Sequence, residues 1–135
     1  MALNILVVDD SSITRAMIIK TLKMTGLPLG EIHQASNGWE GLAQLEKQNI
    51  DLALVDINMP VMNGEEMIET LRSNPKWASL PVIVVSTEGS RTRIERFQRL
   101  DAKFVHKPFS PEVVCQTIEQ ITGQRYVSQP SDTEF

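Results

Sequence analysis

Four short apolar runs in this chain each stop at a residue able to do chemistry. Ile5–Val8 ends at Asp9 and Asp10, Leu52–Val55 at Asp56, Val82–Val85 at Ser86 and Thr87, and Phe104–His106 at Lys107. If the runs are strands of one parallel sheet, their carboxyl ends share an edge, and open α/β sheets bind ligands there. Three carboxylates, a hydroxyl and an ammonium group would then converge from distant parts of the chain. Crowded carboxylates repel and raise one another's pKa. A hard divalent cation that takes oxygen ligands and keeps several waters, as Mg²⁺ does, relieves that repulsion. With Lys107 and Ser86 beside it, such a site suits a phosphoryl group, whose oxygens need charge neutralisation and hydrogen bonds. A carboxylate can also be the nucleophile and become an aspartyl phosphate.

The elements between these runs support a shared edge. Ile5–Val8 is short and β-branched, as a strand buried on both faces should be. Ser11 or Ser12 can cap a helix in which Ile13, Met17, Thr21 and Met24 recur at helical spacing, and Gly26 and Pro28 stop it. Glu31–Ala35 is a weak strand, and Asn37-Gly38 a turn or cap. Trp39, Leu42, Ala43 and Glu46 form the stripe of the next helix. The strand ending at Asp56 leads through a Pro60/Gly64 loop to a helix over Glu65–Arg72. Ile94, Phe97 and Leu100 share one face of a fourth helix, with Arg91, Arg96 and Arg99 on the other. Ser110, Pro111 and Glu112 start the last helix as cap, first-turn proline and first-turn acid. Val113, Val114, Thr117, Ile118 and Ile121 are expected on its buried side, and Gly123 ends it. Five alternations of strand and helix imply α/β architecture, a parallel sheet with helices on both faces.

Composition narrows the class. The chain has 135 residues, 41% of them hydrophobic and 22% charged, enough for one domain with a real core. Its one cysteine, Cys115, cannot form an internal disulfide, which argues for a reducing compartment. No apolar run approaches the ~18 residues of a membrane span, and the first residues lack a signal-peptide pattern. Thirteen basic against 17 acidic residues give a net charge of −4, a poor balance for general nucleic-acid binding. The expectation is a cytoplasmic domain over residues 1–123, with 124–135 as a tail or the start of a linker. No membrane insertion, no nucleic-acid partner, and a monomer or weak dimer are expected. Cys115, Trp39 and Trp77 read as packing residues, and His33 and His106 as ordinary strand or surface residues.

Four segments carry a family resemblance: LVVDDSSITR (6–15), DINMPVMNG (56–64), VVSTE (84–88) and FVHKPF (104–109). In order and spacing the chain resembles the receiver domain of two-component response regulators, most closely the small chemotaxis type. The resemblance implies a flavodoxin-like, doubly wound, five-stranded sheet of order 2-1-3-4-5. It makes Asp56 the phospho-acceptor, Asp10 a direct Mg²⁺ ligand, Asp9 a ligand acting mostly through water, and Asn58 a ligand through its backbone carbonyl. It places Ser86, with Thr87 adjacent, and Lys107 on the phosphoryl group, implies a cis Lys107-Pro108 bond, and makes Phe104 the aromatic switch. One departure is visible: Leu100-Asp101-Ala102 replaces a Gly-Ala pattern, so the turn before the last strand lacks its glycine and is expected to be one residue shorter.

The implied function is a stand-alone switch that accepts phosphate from a histidine kinase or phosphotransfer protein and then binds an output protein. Arg91, Arg96 and Arg99 are a possible partner face, although a solvated helix face is the simpler reading of the same charges. A receiver cut from a larger response regulator or hybrid kinase is an alternative of the same class. A Mg²⁺-dependent phosphohydrolase with an aspartyl-phosphate intermediate is disfavoured, because such enzymes place an acid two residues after the nucleophile and this chain has Asn58. A flavodoxin-like cofactor binder is disfavoured because Asp9-Asp10 stand where its phosphate loop would be. As a receiver, the chain is expected to be no enzyme beyond promoting its own phosphorylation and dephosphorylation.

Overall fold

Buried β-branched runs become the central strands of the sheet. The computed structural model describes residues 2–87, 91–107 and 110–123. The strands are β1 (Leu3–Val8), β2 (Leu29–Ala35), β3 (Leu52–Asp56), β4 (Val82–Ser86) and β5 (Ala102–His106). All neighbours pair in parallel, in the order β2-β1-β3-β4-β5. β3 and β4 are buried at every position, as expected of strands covered on both faces. The sheet is the five-stranded parallel one that the alternation predicts, in the order that the resemblance implies.

The helices are α1 (Ser12–Lys23), α2 (Gly38–Lys47), α3 (Gly64–Arg72), α4 (Arg91–Arg99) and α5 (Pro111–Thr122). Period-2 alternation divides the core. Leu6, Val8, Val55 and Val84 pack with Leu45 of α2, Met67, Ile68 and Leu71 of α3, and Phe97 of α4. Ile5, Val7, Leu54 and Val85 pack on the other face with Ile18 and Leu22 of α1 and Val114 and Ile118 of α5.

Helix ends follow local chemistry. Ser11, not Ser12, caps α1, its Oγ accepting the Thr14 N–H at 3.2 Å. Asn63 and Glu66 form a reciprocal capping box on α3. Ser110 caps α5 with Pro111 in the first turn, and Gly123 closes it in the left-handed conformation, φ 71°. The missing glycine before β5 has a local substitute: Asp101 itself adopts φ 58°. Asp is one of the few residues that visit this region readily. Arg72 braces the same turn, its guanidinium donating to the Leu100 carbonyl at 2.7 Å and the Asp101 carbonyl at 3.1 Å.

Three expected buried stripes are different in the structure. On α1, Ile18 and Leu22 face the core, while Ile13 and Met17 are 74% and 63% exposed and Met24 is exposed with them. On α2 the buried residues are Gly38, Gly41 and Leu45, and Trp39, Ala43 and Glu46 face solvent. On α5, Val114, Cys115 and Ile118 are buried and Val113 is exposed. Each helix carries apolar residues on more than one face, so periodicity alone admits two orientations. Contact with the sheet selects one. The Lys107-Pro108 bond and residues 124–135 lie outside the described residues.

Candidate functional site

The parallel sheet brings the polar strand ends to one edge. Asp9 follows β1 and is 1% exposed, and Asp56 closes β3 at 8%. Asp10, one residue further along, is exposed. One carboxylate oxygen from each of Asp9, Asp10 and Asp56 lies within 4.8 Å of the others. Lys107, after β5, spans the cluster: its Nζ is 3.3 Å from Asp9 Oδ2 and 3.6 Å from Asp56 Oδ1. It is held from below by its own N–H, which donates to the Ser86 carbonyl at 2.9 Å.

Asp9 is fixed more firmly than its neighbours. Its Oδ1 accepts the Ser11 N–H at 2.9 Å, so the carboxylate also organises the turn into α1. Its backbone carbonyl accepts from Arg15 Nη1 at 2.6 Å, and Arg15 Nε donates to Gln34 Oε1 on β2 at 2.9 Å. Arg15 stands in the quoted motif without a role there. The structure makes it a brace between the Asp9 turn and β2. Spacing could not have found this, because Gln34 becomes its neighbour only through β1–β2 pairing.

Burial is the first cause acting on Asp56. It raises the carboxyl from an ordinary 3.8 to about 6, and Asp9 and, more weakly, Asp10 push in the same direction. Lys107 and a backbone hydrogen bond at Ile57 oppose the rise. The site therefore holds a carboxylate whose charge is poorly compensated. Three converging hard oxygen donors, one buried and partly uncompensated, fit a Mg²⁺ ion that keeps several waters.

The loop after Asp56 is tightly built. A Cβ on Gly64 would overlap the Asp56 carbonyl oxygen, so only glycine lets α3 start so close to the strand end. The Gly64 N–H donates to the Ile57 carbonyl at 3.0 Å. Asn58 is exposed on this loop. Val61 holds φ 68°, an uncommon conformation for a β-branched residue.

The remaining predicted residues sit on the β4 and β5 side. Ser86 is buried at the end of β4, one residue beyond the Asp56–Val85 pair, and Thr87 is exposed just outside the strand. Phe104 on β5 is half-buried, its ring between Phe97 at 6.4 Å and the edge-on imidazole of His106 at 5.0 Å. His106 thus packs on the expected switch residue, as the two-residue period of a strand places both on one face. Arg91, Arg96 and Arg99 are all exposed, but Arg96 leans toward α3 and pairs with Glu65 at 3.4 Å. Cys115 is buried, and burial pushes its thiol pKa up, as expected of a packing residue.

Residues 5–119 match the family model described as the response regulator receiver domain. The chain belongs to this family. This receiver domain is 33% identical over 123 residues to the chemotaxis protein CheY homolog of Campylobacter jejuni, covering 90% of this chain and 93% of that protein. It is 30% identical to chemotaxis protein CheY1 of Helicobacter pylori, over 90% of this chain and 98% of the relative. Among solved structures, the chemotaxis response regulator CheY4 of Vibrio cholerae superposes with a TM-score of 0.79 at 31% identity, covering 90% of this chain and 99% of that one. The CheX-CheY-BeF₃-Mg²⁺ complex of Borrelia burgdorferi superposes at 0.80 with 25% identity, covering 89% of each chain. The receiver domain is thus a signalling module of the CheY-like kind. Among its described residues no helix is long and apolar enough to cross a membrane.

Proposed function

We propose that this receiver domain is a phosphorylation-dependent switch that takes a phosphoryl group from a histidine kinase or phosphotransfer protein onto Asp56 and changes its binding to an output protein. The observation that carries the reading is the position of Asp56. It is a buried carboxylate at a strand end, with two further carboxylates and an ammonium group converging on it. An oxygen of Asp56 attacks phosphorus, the bond from phosphorus to the donor imidazole nitrogen breaks, and its electron pair stays on that nitrogen. Asp9, Asp10, Asp56 and the Asn58 carbonyl would hold Mg²⁺, which supplies charge neutralisation for the phosphoryl oxygens. A Borrelia relative assembled with Mg²⁺, BeF₃ and a protein partner supports both the ion and a partner for this chain.

Lys107 moves its ion pair from the carboxylates to the new phosphoryl oxygens, and Ser86 donates its hydroxyl to them, with Thr87 at the rim. These contacts exist only in the phosphorylated state, so they can bias a two-state loop, with typical couplings of about 1–3 kcal/mol. Phe104 transmits the bias to the face of α4, β5 and α5, where Arg91 and Arg99 add positive charge for an acidic output partner. Ile13 and Met17, exposed on α1 just after Asp10, support a protein as the phosphate donor, since they lay an apolar strip beside the cluster.

The test uses acetyl phosphate or phosphoramidate with Mg²⁺, borohydride trapping, and mapping of the labelled residue. Label on Asp56, abolished by EDTA and by Asp56→Asn, is the expected result. Equal labelling of Asp56→Asn would overturn the assignment. A Lys107→Ala variant should still be labelled, but its amide spectrum should not show the wild-type response. A full response would overturn the relay.

A further inference from the structure

The helix face that was expected to be core, and is not, lines a groove between α2 and the end of α3. Trp39, Leu42 and Glu46 of α2 form one wall, and Thr70 and Ser73 at the end of α3 face them with Trp77 beyond, around about 620 Å³. Gly41 explains why this face is left over. A Cβ there would press on Met67 and Val8, so α2 packs closely through its glycine side and turns Trp39 outward, 60% exposed. An exposed tryptophan facing a half-buried one across a groove is an apolar surface with a purpose to be explained.

We propose that this groove docks a basic amphipathic helix of a partner protein, at a site separate from the phosphorylation cluster. Charge complementarity carries the choice of occupant. Glu46 stands in the groove, and Glu66 lies in helical line with Thr70 and Ser73. Glu69 stands beside Thr70 on α3, and all three are exposed, whereas Glu40 is turned away onto the Ser36 N–H and hydroxyl at 2.9 and 2.8 Å. Against them stand Lys47 and Lys76, and Lys76 is already paired with Glu46 at 3.3 Å. Arg72 is not available to the groove, because it is turned beneath α3 onto backbone carbonyls at 2.7–3.2 Å. The rim is therefore net acidic. The Lys76 ammonium also sits 5.8 Å from the Trp77 ring centre, beside its glutamate. Trp39, 60% exposed, offers a partner's lysine or arginine a second ring face.

A helix suits the groove better than an extended segment. Its main walls are helices, which offer no open backbone edge to pair with a strand, whereas helix-in-groove recognition needs anchors at i, i+3 or i+4, and i+7. Trp39 to Glu46 spans about 10.5 Å at 1.5 Å per residue, two turns of an occupant.

Both tryptophans of the chain line the groove, so intrinsic fluorescence reads its occupancy directly. The probe is a synthetic helical peptide of about 14 residues, four turns, with leucine anchors and flanking lysine and arginine. The comparison peptides replace those cations with glutamate or replace the helix with a proline-rich sequence. The basic peptide should give a saturable blue shift and bind several-fold more weakly as salt rises from about 0.02 to 0.2 M. Trp39→Ala, which changes an exposed side chain, and the pair Glu46→Gln and Glu69→Gln should each weaken binding about tenfold. Asp56→Asn should leave it unchanged, separating this outcome from that of the phosphorylation test. The proposal is overturned if the basic peptide gives no saturable shift, if either comparison peptide binds equally well, or if Trp39→Ala binds like the wild type.

Discussion

Replacing Asp56 with asparagine should stabilise the metal-free protein. Folding moves this carboxyl from 3.8 to about 6, mainly by burial and then by the neighbouring Asp9. Each pKa unit corresponds to about 1.4 kcal/mol, so the ionised group opposes folding by about 3 kcal/mol at neutral pH. Asparagine keeps the shape and removes the charge, and Lys107 retains Asp9 at 3.3 Å. The amide needs hydrogen-bond partners of its own, so a net gain of about 1–3 kcal/mol is expected. With a urea m-value of ~1–3 kcal/mol/M, the unfolding midpoint should rise by about 1 M.

The pH dependence follows in sign. Because the folded pKa is the higher one, the folded state binds more protons than the unfolded state between about 4 and 6. Wild-type stability from this group therefore improves as pH falls through about 6, and the penalty is full above it. The gap between Asp56→Asn and wild type should be widest at pH 8, narrow by pH 5 and close below 3.8. Mg²⁺ should offset most or all of the variant's advantage by stabilising the wild type through mass action, by about 2.7 kcal/mol at a hundred times its dissociation constant, and the variant far less. Urea titrations at pH 5 and 8, with Mg²⁺ and with EDTA, measure all of this. A variant no more stable than wild type at pH 8 in EDTA, or a gap that does not change with pH, would refute the reasoning.

Three other substitutions probe what holds the site. Gly64→Ala forces a Cβ onto the Asp56 carbonyl and should destabilise by about 1–3 kcal/mol while slowing phosphorylation, read by urea unfolding and acetyl-phosphate labelling. Val61→Gly relieves a left-handed β-branched residue on the exposed loop and should raise stability by up to about 1 kcal/mol, read as a higher thermal midpoint. Arg72→Ala removes hydrogen bonds to four carbonyls around the α3–β4 and α4–β5 turns and should lower stability by about 2–3 kcal/mol, with loss of amide-exchange protection at Leu100 and Asp101.

The residue types at the ends of four apolar runs already marked the candidate site. Asp9, Asp10, Asp56, Ser86 and Lys107 converge because parallel strands share a carboxyl edge, and that follows from alternation alone. Cap identities at Ser110 and Gly123 were equally legible, since a cap is decided within a few residues of itself, and the structure resolves the turn-or-cap choice at Asn37 as a cap. Which side of a helix is buried was not. α1 offers Ile13, Met17 and Met24 on one side and Ile18 and Leu22 on another, and the apolar spacing is satisfied by either. The sheet beneath chose the second. On α2 a glycine decided the matter: Gly41 let the helix approach Val8 and Met67, and Trp39 was turned to solvent. The Lys107 bridge to Asp9 and Asp56, the Arg15 brace to Gln34 and the Arg72 clasp on Leu100 and Asp101 join residues far apart in sequence. Only tertiary packing creates those distances, because local sequence sets backbone preference and periodicity while the direction of a long charged side chain is settled by whichever carbonyls and carboxylates the fold brings within its reach.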